Sequence, residues 1–402
     1  MESIDITRKL KEKGNEIADE VIKIRRWLHQ HPELSAKEYE TSKFVAGKLR
    51  DIGLEPQTGI ADTGVVALVE GGKEGKTIAF RADMDALPIT EMNDASYRSQ
   101  NPGVMHACGH DTHVTNLLGA AMILSDPLIK TELPGSVKLI FQPSEEAFPG
   151  GARRMIEEGV LEKPDVVCVV AAHAFPFLDA GKIGLKDNIA MAAIDDFEVE
   201  IKGDGCHAST PHLGTDAIVA ASHCIMNLQT IISRRIPPLE SAVISIGMIS
   251  GGTKSNILAE SVRFKGTIRT LLPEVRVKIR KLFKDTIRCS AESLGCGYDI
   301  RYTEGYDSVY NSPEINEVCR TSITSILGAD SVVTLTSPMM GSEDFSYFSK
   351  KLPCTVMRIG CKSPDRKFYP LHHNRFDVDE SILPATAEVF AQVAFDLLEK
   401  YR

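Results

Sequence analysis

The chain has 402 residues, 43% of them hydrophobic and 25% charged, which excludes a disordered chain and leaves room for two domains. The formal net charge is −9 and no basic stripe offsets it, which argues against a nucleic-acid partner. No apolar run reaches the roughly 18 residues of a membrane span, no secretory signal is visible, and the nine cysteines form no CxxC pair; the expectation is a cytoplasmic protein with reduced thiols.

Ile17, Val21, Ile24 and Leu28 recur at helical spacing and predict an amphipathic opening helix. Four apolar runs follow: GVVALVE (64–70), TIAFRAD (77–83), SVKLIFQP (136–143) and DVVCVVAAH (165–173). Helical stretches at 113–124 and 151–159 lie among them, so the runs read as strands of a sheet buried on both faces. After about residue 186 the pattern changes. FEVEI (197–201) alternates, a helical stretch occupies 215–233, two strand-like runs fill 242–249 and 262–271, a helix covers 274–294 and a last strand 298–305. That order, β-α-β-β-α-β, is the ferredoxin-like unit. The predicted architecture is an α/β domain, 1–186 and 304–402, interrupted by an inserted α+β domain at 187–303. The final segment adds a helix (314–327), a strand (355–360) and a helix from about 383.

Chemistry gathers at four places: MHACGHDTH (105–113), QPSEE (142–146), the His173 of AAHAFP, and LHHNRF with His372 and His373. Asp83, Glu145, Glu146 and His173 are read as lying at the carboxyl ends of strands, where open α/β sheets bind ligands. Carboxylates and imidazoles converging on one edge make a metal site. Each piece alone has an ordinary reading: a satisfied strand-end histidine, an acidic helix start at Glu145–Glu146, a small buried hydrophobe at Cys108. GGKEG (71–75) reads as a turn and lacks dinucleotide spacing.

At these motifs the chain resembles the aminoacylase/carboxypeptidase family of di-metal hydrolases, in the branch of hippurate hydrolases, N-acyl-amino-acid amidohydrolases and auxin-conjugate hydrolases. RRWLHQHPELSAKE (25–38), FRADMDALPI (80–89), GDGCHASTPHLGTDAI (203–218), GGTKSNILAE (251–260), GTIRT (266–270), MGSEDFSYF (340–348) and LHHNRFDVDE (371–380) extend the likeness along nearly the whole chain. The resemblance implies two divalent metal ions held by Cys108, His110, Glu146, His173 and His372, with Glu145 as general base. It implies that Asp83, Asp85 and Asp111 orient the ligating imidazoles. It makes the inserted domain a lid and dimerisation domain, with His207, His212, Asn256 and Arg269 as substrate groups, some of them reaching across a homodimer. A solvated strand residue is the ordinary alternative for Arg269. Cys206, Ala259 and His373 depart from the family's usual residues at their positions.

The expected activity is hydrolysis of the amide bond of N-acyl amino acids, acetyl or benzoyl or similar, with a dipeptidase or carboxypeptidase as the rival within the family. Thiolate and imidazole ligands suit zinc and carboxylates also suit manganese; cobalt and nickel stay open. A thiol hydrolase using Cys108 is the alternative of another class. A non-enzymatic binding module ranks last, since Glu145 is retained.

Overall fold

The structure is a computed structural model that describes residues 5–365 and 367–402. The chain divides into two compact units. The first takes the chain up to Asn188, then Tyr310–Ser337 and Tyr347–Arg402; the second is Ile189–Val309 with Pro338–Ser346. The sequence had suggested borders at 186/187 and 303/304. The structural division lies at 188/189 and 309/310, and Pro338–Ser346 groups with the second unit.

The first unit is built on an eight-stranded sheet. Its order is Gln57–Ile60, Gly64–Glu70, Pro134–Gln142, Lys73–Asp83, Val166–Asp179, Cys354–Lys362, Ile183–Leu185, Val332–Thr334. The four central strands pair in parallel. Their side chains alternate between two covered faces, so Ile78, Phe80, Val137, Leu139, Phe141 and Val170 are all fully buried. This is why the strands read as continuous apolar runs. Helices Ile6–Gln30, His110–Leu124 and Ile382–Lys400 pack together, and the buried stripe of the first carries Leu10, Ile17, Val21, Ile24 and Leu28. Asp5 caps that helix by accepting from the Arg8 N–H.

Two local expectations change. His110–Leu124 starts at His110, three positions before the apolar periodicity begins at His113, because Gly109 lets the chain enter the helix from a left-handed conformation, φ +88°. The strand Val166–Asp179 runs well past His173, which therefore lies inside a strand and not at its end. His173 still faces the carboxyl edge, because the neighbouring Lys73–Asp83 ladder stops pairing at Arg81 opposite Ala171. The short strands Ile183–Leu185 and Val332–Thr334 were not legible; each is three residues long.

The second unit is a four-stranded antiparallel sheet, ordered Gly297–Glu304, Ala193–Lys202, Ser261–Thr270, Ala242–Gly251, with helices Ala217–Arg235 and Pro273–Glu292 packed on it. This is the β-α-β-β-α-β arrangement. Phe197, Val199, Ile201 and Phe264 point at the helices, while Glu198, Glu200, Arg263 and Lys265 form cross-strand ion pairs. Gly266 sits where the ladder to Ala242–Gly251 slips by one residue. A Cβ there would stand 1.9 Å from the Ser245 carbonyl oxygen and 2.6 Å from the Phe197 ring. Gly266→Ala should therefore cost about 1–3 kcal/mol of unfolding free energy. Gly247→Ala, on the same sheet with nothing within 4 Å, should change it little. Denaturant unfolding of both variants checks this, and equal stabilities would contradict the packing.

Candidate metal centre

Three loops at the carboxyl edge of the first unit's sheet, with His173 of the strand Val166–Asp179, supply the candidate ligands. Gly109 separates Cys108 from His110, and a Cβ there would meet the Ala174 Cβ at 2.8 Å, so only glycine lets this turn lie against the His173 strand. Beyond the strand Pro134–Gln142, Ser144 adopts φ +57° and turns the chain so that Glu145 and Glu146 follow in a bend. Asp85 fixes that bend: its carboxylate accepts from the backbone N–H of Glu145 (3.1 Å) and of Glu146 (2.9 Å), and from the Ser35 hydroxyl (2.6 Å). His372 adopts φ +64°, and its N–H donates to the Ala107 carbonyl at 2.8 Å, seating its loop against the Cys108 turn.

These turns bring all five expected ligands together. The Cys108 sulfur lies 3.6 Å from His173 Nε2 and 3.4 Å from His372 Nε2. His372 Nε2 is 3.3 Å from Glu146 Oε1, and His110 Nε2 is 4.0 Å from a carboxylate oxygen of both Glu145 and Glu146. Two groups emerge, Cys108–His110–His173 and Cys108–Glu146–His372, each with donor atoms within 4.8 Å of one another. They share the sulfur. Two ligands held at about 2.3 Å (S) and 2.1 Å (N) from one tetrahedral ion stand roughly 3.6 Å apart, so the sulfur–nitrogen spacings suit a common cation. Both His110 nitrogens and Glu146 Oε1 are buried and make no hydrogen bond among the described residues, which fits donors meant for a cation.

The neighbours select which nitrogen is free. His173 Nδ1 donates to the Ala174 carbonyl at 2.8 Å, leaving Nε2 as a lone pair toward Cys108. His110 Nδ1 faces Asp85 at 3.3 Å, which leaves its Nε2 toward the glutamates. His113 is different. Its Nε2 accepts the Ala174 N–H at 2.8 Å and its Nδ1 donates to Asp83 at 2.5 Å, so both nitrogens are engaged and it is not a ligand. Asp83 in turn is gripped by Arg81 at 2.6 Å. Of the three aspartates expected to orient ligating imidazoles, Asp85 meets His110 at 3.3 Å, whereas Asp83 bonds His113 and stands 3.7 Å from His110 Nε2, and Asp111 bonds His29, which is not a candidate ligand.

Electrostatics point the same way. Burial pushes the Cys108 thiol well up, and Glu146, Glu145 and Asp83 push it further. Burial opposes the charge on His110, but Asp83, Asp85 and Glu146 outweigh it and raise its pKa to about 10. Burial and the neighbouring His113 and Arg358 hold His173 neutral. A bare pocket therefore keeps protons on Cys108 and His110, and these protons compete with a metal ion.

Reading residues alone missed the layer beneath. Arg25, His29, Glu91 and Asp377 form a buried polar cluster behind the site. The available signal was Arg25 and His29 four residues apart, beside the apolar stripe of the first helix.

The other expected residues belong to the second unit. The loops of His207 and Asn256 meet there, with the Ala208 N–H donating to the Asn256 carbonyl at 3.0 Å and His207 bridging Ile257. His207, His212 and Asn256 are exposed, and His207 Nδ1 is 2.8 Å from the Ser209 hydroxyl. Arg269 is half-buried and donates to the Met340 carbonyl (3.2 Å) and the Ser342 hydroxyl (3.3 Å). It pairs opposite Ile194 and Val243, at the far end of the strand Ser261–Thr270 from the His207 loop. Within one copy of this unit, Arg269 and the His207–Asn256 pair are not brought together.

Comparison with known proteins follows the same lines. Residues 79–396 match Peptidase family M20/M25/M40. The chain is 38% identical over 401 residues to thermostable carboxypeptidase 1 of Saccharolobus solfataricus, covering 99% of this chain and 100% of that one. It is 36% identical over 395 residues to an N-acetyl-L-cysteine deacetylase of Bacillus subtilis, covering 97% and 92%. A crystal structure from Bacillus subtilis, described as a dinuclear metal binding peptidase of the M20 family, superimposes with a TM-score of 0.82 at 32% identity, covering 96% and 99%. The α/β first unit, its ferredoxin-like companion and a match along most of the chain make this protein a hydrolase of peptidase family M20/M25/M40.

Proposed function

We propose that this hydrolase is a metal-dependent amidohydrolase that cleaves N-acyl amino acids to a carboxylate and a free amino acid. The observation that carries the reading is the Cys108 sulfur at the junction of two donor groups, one buried and one open to solvent at His372, with Glu145 beside them. Cys108, His110, Glu146, His173 and His372 would hold two divalent ions, zinc or manganese first among them given the mixed thiolate, imidazole and carboxylate set. When bound, such ions polarise an amide carbonyl and acidify the attacking water. Glu145 would accept a proton from the attacking water and return it to the amine nitrogen as the C–N bond breaks. Arg269 would pair with the substrate carboxylate, and His207, His212 or Asn256 would donate to the carbonyl oxygen as it gains charge.

The relatives include named deacetylases and named carboxypeptidases, so a carboxypeptidase or dipeptidase stays the rival within the family. The geometry does not favour a thiol hydrolase. A nucleophilic cysteine needs a lowered pKa and electropositive surroundings, whereas Cys108 is buried among carboxylates that raise it.

Glu145→Gln should retain metal while losing turnover of N-acetyl or N-benzoyl amino acids by roughly 100-fold or more. Glu146→Gln should lose metal as well as activity, and chelation should abolish turnover in the wild type until divalent ions are returned. Metal analysis beside an assay on N-acyl amino acids and dipeptides decides it. Full turnover after complete metal removal would refute the reading, and faster cleavage of dipeptides would move it to the rival substrate class.

The second unit supports a homodimer. Arg269 and the Ser261 end, where the His207 loop emerges, are separated by eight strand residues, about 26 Å at roughly 3.3 Å each, too far for one small substrate to touch both from the same copy. A second copy supplies the missing set. The edge strand Ala242–Gly251 carries no charge and exposes Val243, Met248 and Ile249, and the adjacent helix exposes Ile218, Val219 and Met226. An unprotected apolar edge of this kind invites pairing with itself about a two-fold axis. Sedimentation equilibrium should give a dimer for the wild type and a monomer for Met248→Glu/Ile249→Lys, with the monomer keeping metal but losing turnover. A fully active monomer would contradict a shared site.

A further inference from the structure

Among the five candidate ligands His372 is the least held by its own packing. Its side chain is 52% exposed, whereas Cys108, His110 and His173 are buried. Its backbone is in the left-handed region, which a non-glycine residue keeps only when its surroundings enforce it. One enforcing contact is the N–H bond to Ala107. The segment that follows is tied down at Asn374, whose carbonyl accepts the Met92 N–H at 2.8 Å, and again five residues on, at Asp377.

Asp377 is clamped from two sides. Arg25 Nη2 donates to its Oδ1 at 2.8 Å and the Tyr97 hydroxyl donates to its Oδ2 at 2.8 Å. Arg25 is itself 1% exposed, lies 4.6 Å over the Tyr97 ring, and donates through Nε to Asp111 at 3.0 Å, beside His110. Glu380, three residues after Asp377, also meets Arg25 at 3.4 Å and is gripped by Arg26 at 2.6 Å. His29 presents one nitrogen to Asp111 at 2.7 Å and the other to Glu91 at 3.2 Å. Asn93 ties Glu91 to the Phe376 carbonyl, with bonds of 3.1 and 3.0 Å. The segment after His372 is thus fastened at Phe376, Asp377 and Glu380, all to the same buried cluster.

None of these groups is itself a candidate ligand or the general base. Burying so many charges is no efficient route to stability, because well-packed apolar residues serve as well or better. What the cluster does provide is a fixed direction between two loops: the one entering the His110 helix and the one carrying His372. His110 has a separate anchor in Asp85, so it does not depend on the cluster alone.

We propose that Tyr97 and Arg25, acting through Asp377, are positioning residues for His372 and selectively set the affinity of the metal position formed by Cys108, Glu146 and His372. This rests on the two-metal reading above. The position formed by Cys108, His110 and His173 has its own anchors, Asp85 at His110 and the Ala174 carbonyl at His173, and it depends on the clamp far less.

Arg25→Ala takes the guanidinium from two carboxylates, Asp111 and Asp377, and can simply unfold the protein, so the test uses Tyr97→Phe and Asp377→Asn. The metal-free proteins are titrated with zinc, and separately with manganese, against a competing chelator indicator, and their thermal midpoints are recorded without metal. Wild type should take up two equivalents. Each variant should bind one equivalent within about twofold of wild type and the other roughly 10- to 100-fold more weakly, the range typical when a group supporting a ligand is removed. Metal-free midpoints should stay close to that of wild type. Two equivalents weakened alike, or a lowered midpoint with both affinities unchanged, would overturn the inference and leave the cluster a structural one. A wild type that takes up fewer than two equivalents would sink the two-metal reading itself, and the inference with it.

Discussion

Buried negative charge is the constraint on which the first unit's carboxyl edge depends. Asp83, Asp85, Glu145 and Glu146 all stand within 4.0 Å of His110, and His110 is fully buried. Carboxylates removed from water must be paired or coordinated. Arg81 and His113 serve Asp83, while Ser35 and two backbone N–H groups serve Asp85. Both aspartates stay below the ordinary carboxylate range: burial alone would raise them, but Arg81 and His110 outweigh it for Asp83, and His110 and Ser35 do so for Asp85. The inner pair is therefore locked as anions, and the outer glutamates and the Cys108 sulfur face a space whose chemistry calls for cations.

That constraint explains why the sheet's ends matter more than its middle. The central strands are apolar and need only pack, and their alternating faces fix where Asp83, Gln142 and His173 emerge. Lys73–Asp83 and Pro134–Gln142 end side by side, Asp83 opposite Gln142, so the DMD turn and the PSEE bend start from one line. Gly109, Ser144 and His372 then take left-handed backbone conformations to bring three separate segments to one point. Each uses a local backbone irregularity to place a functional side chain, and apolar periodicity carries no trace of such an irregularity.

Much of this was legible in the sequence. The sheet buried on both faces, the inserted β-α-β-β-α-β order and the four polar clusters all follow from periodicity and from residue types at run ends. The likeness of MHACGHDTH and QPSEE to a known family then singled out Cys108, His110, Glu145 and Glu146 among many plausible residues. Three things stayed hidden for physical reasons. Strands of three residues, such as Val332–Thr334, are too short for a period to show. The placement of His173 inside a long strand depends on where its neighbour stops, a tertiary fact. The exclusion of His113 as a ligand depends on the N–H of Ala174, which lies 61 residues away in sequence.

The Cys108 sulfur belongs to both candidate donor groups, and spectroscopy of that sulfur is the most direct measurement. The protein stripped of metal and reloaded with cobalt(II) should show an intense near-ultraviolet thiolate-to-metal charge-transfer absorption. That absorption should be lost in Cys108→Ser and retained in Cys206→Ser. A cobalt-loaded wild type without it, or a Cys108→Ser variant that keeps it, would contradict the placement of Cys108 at the centre of the site.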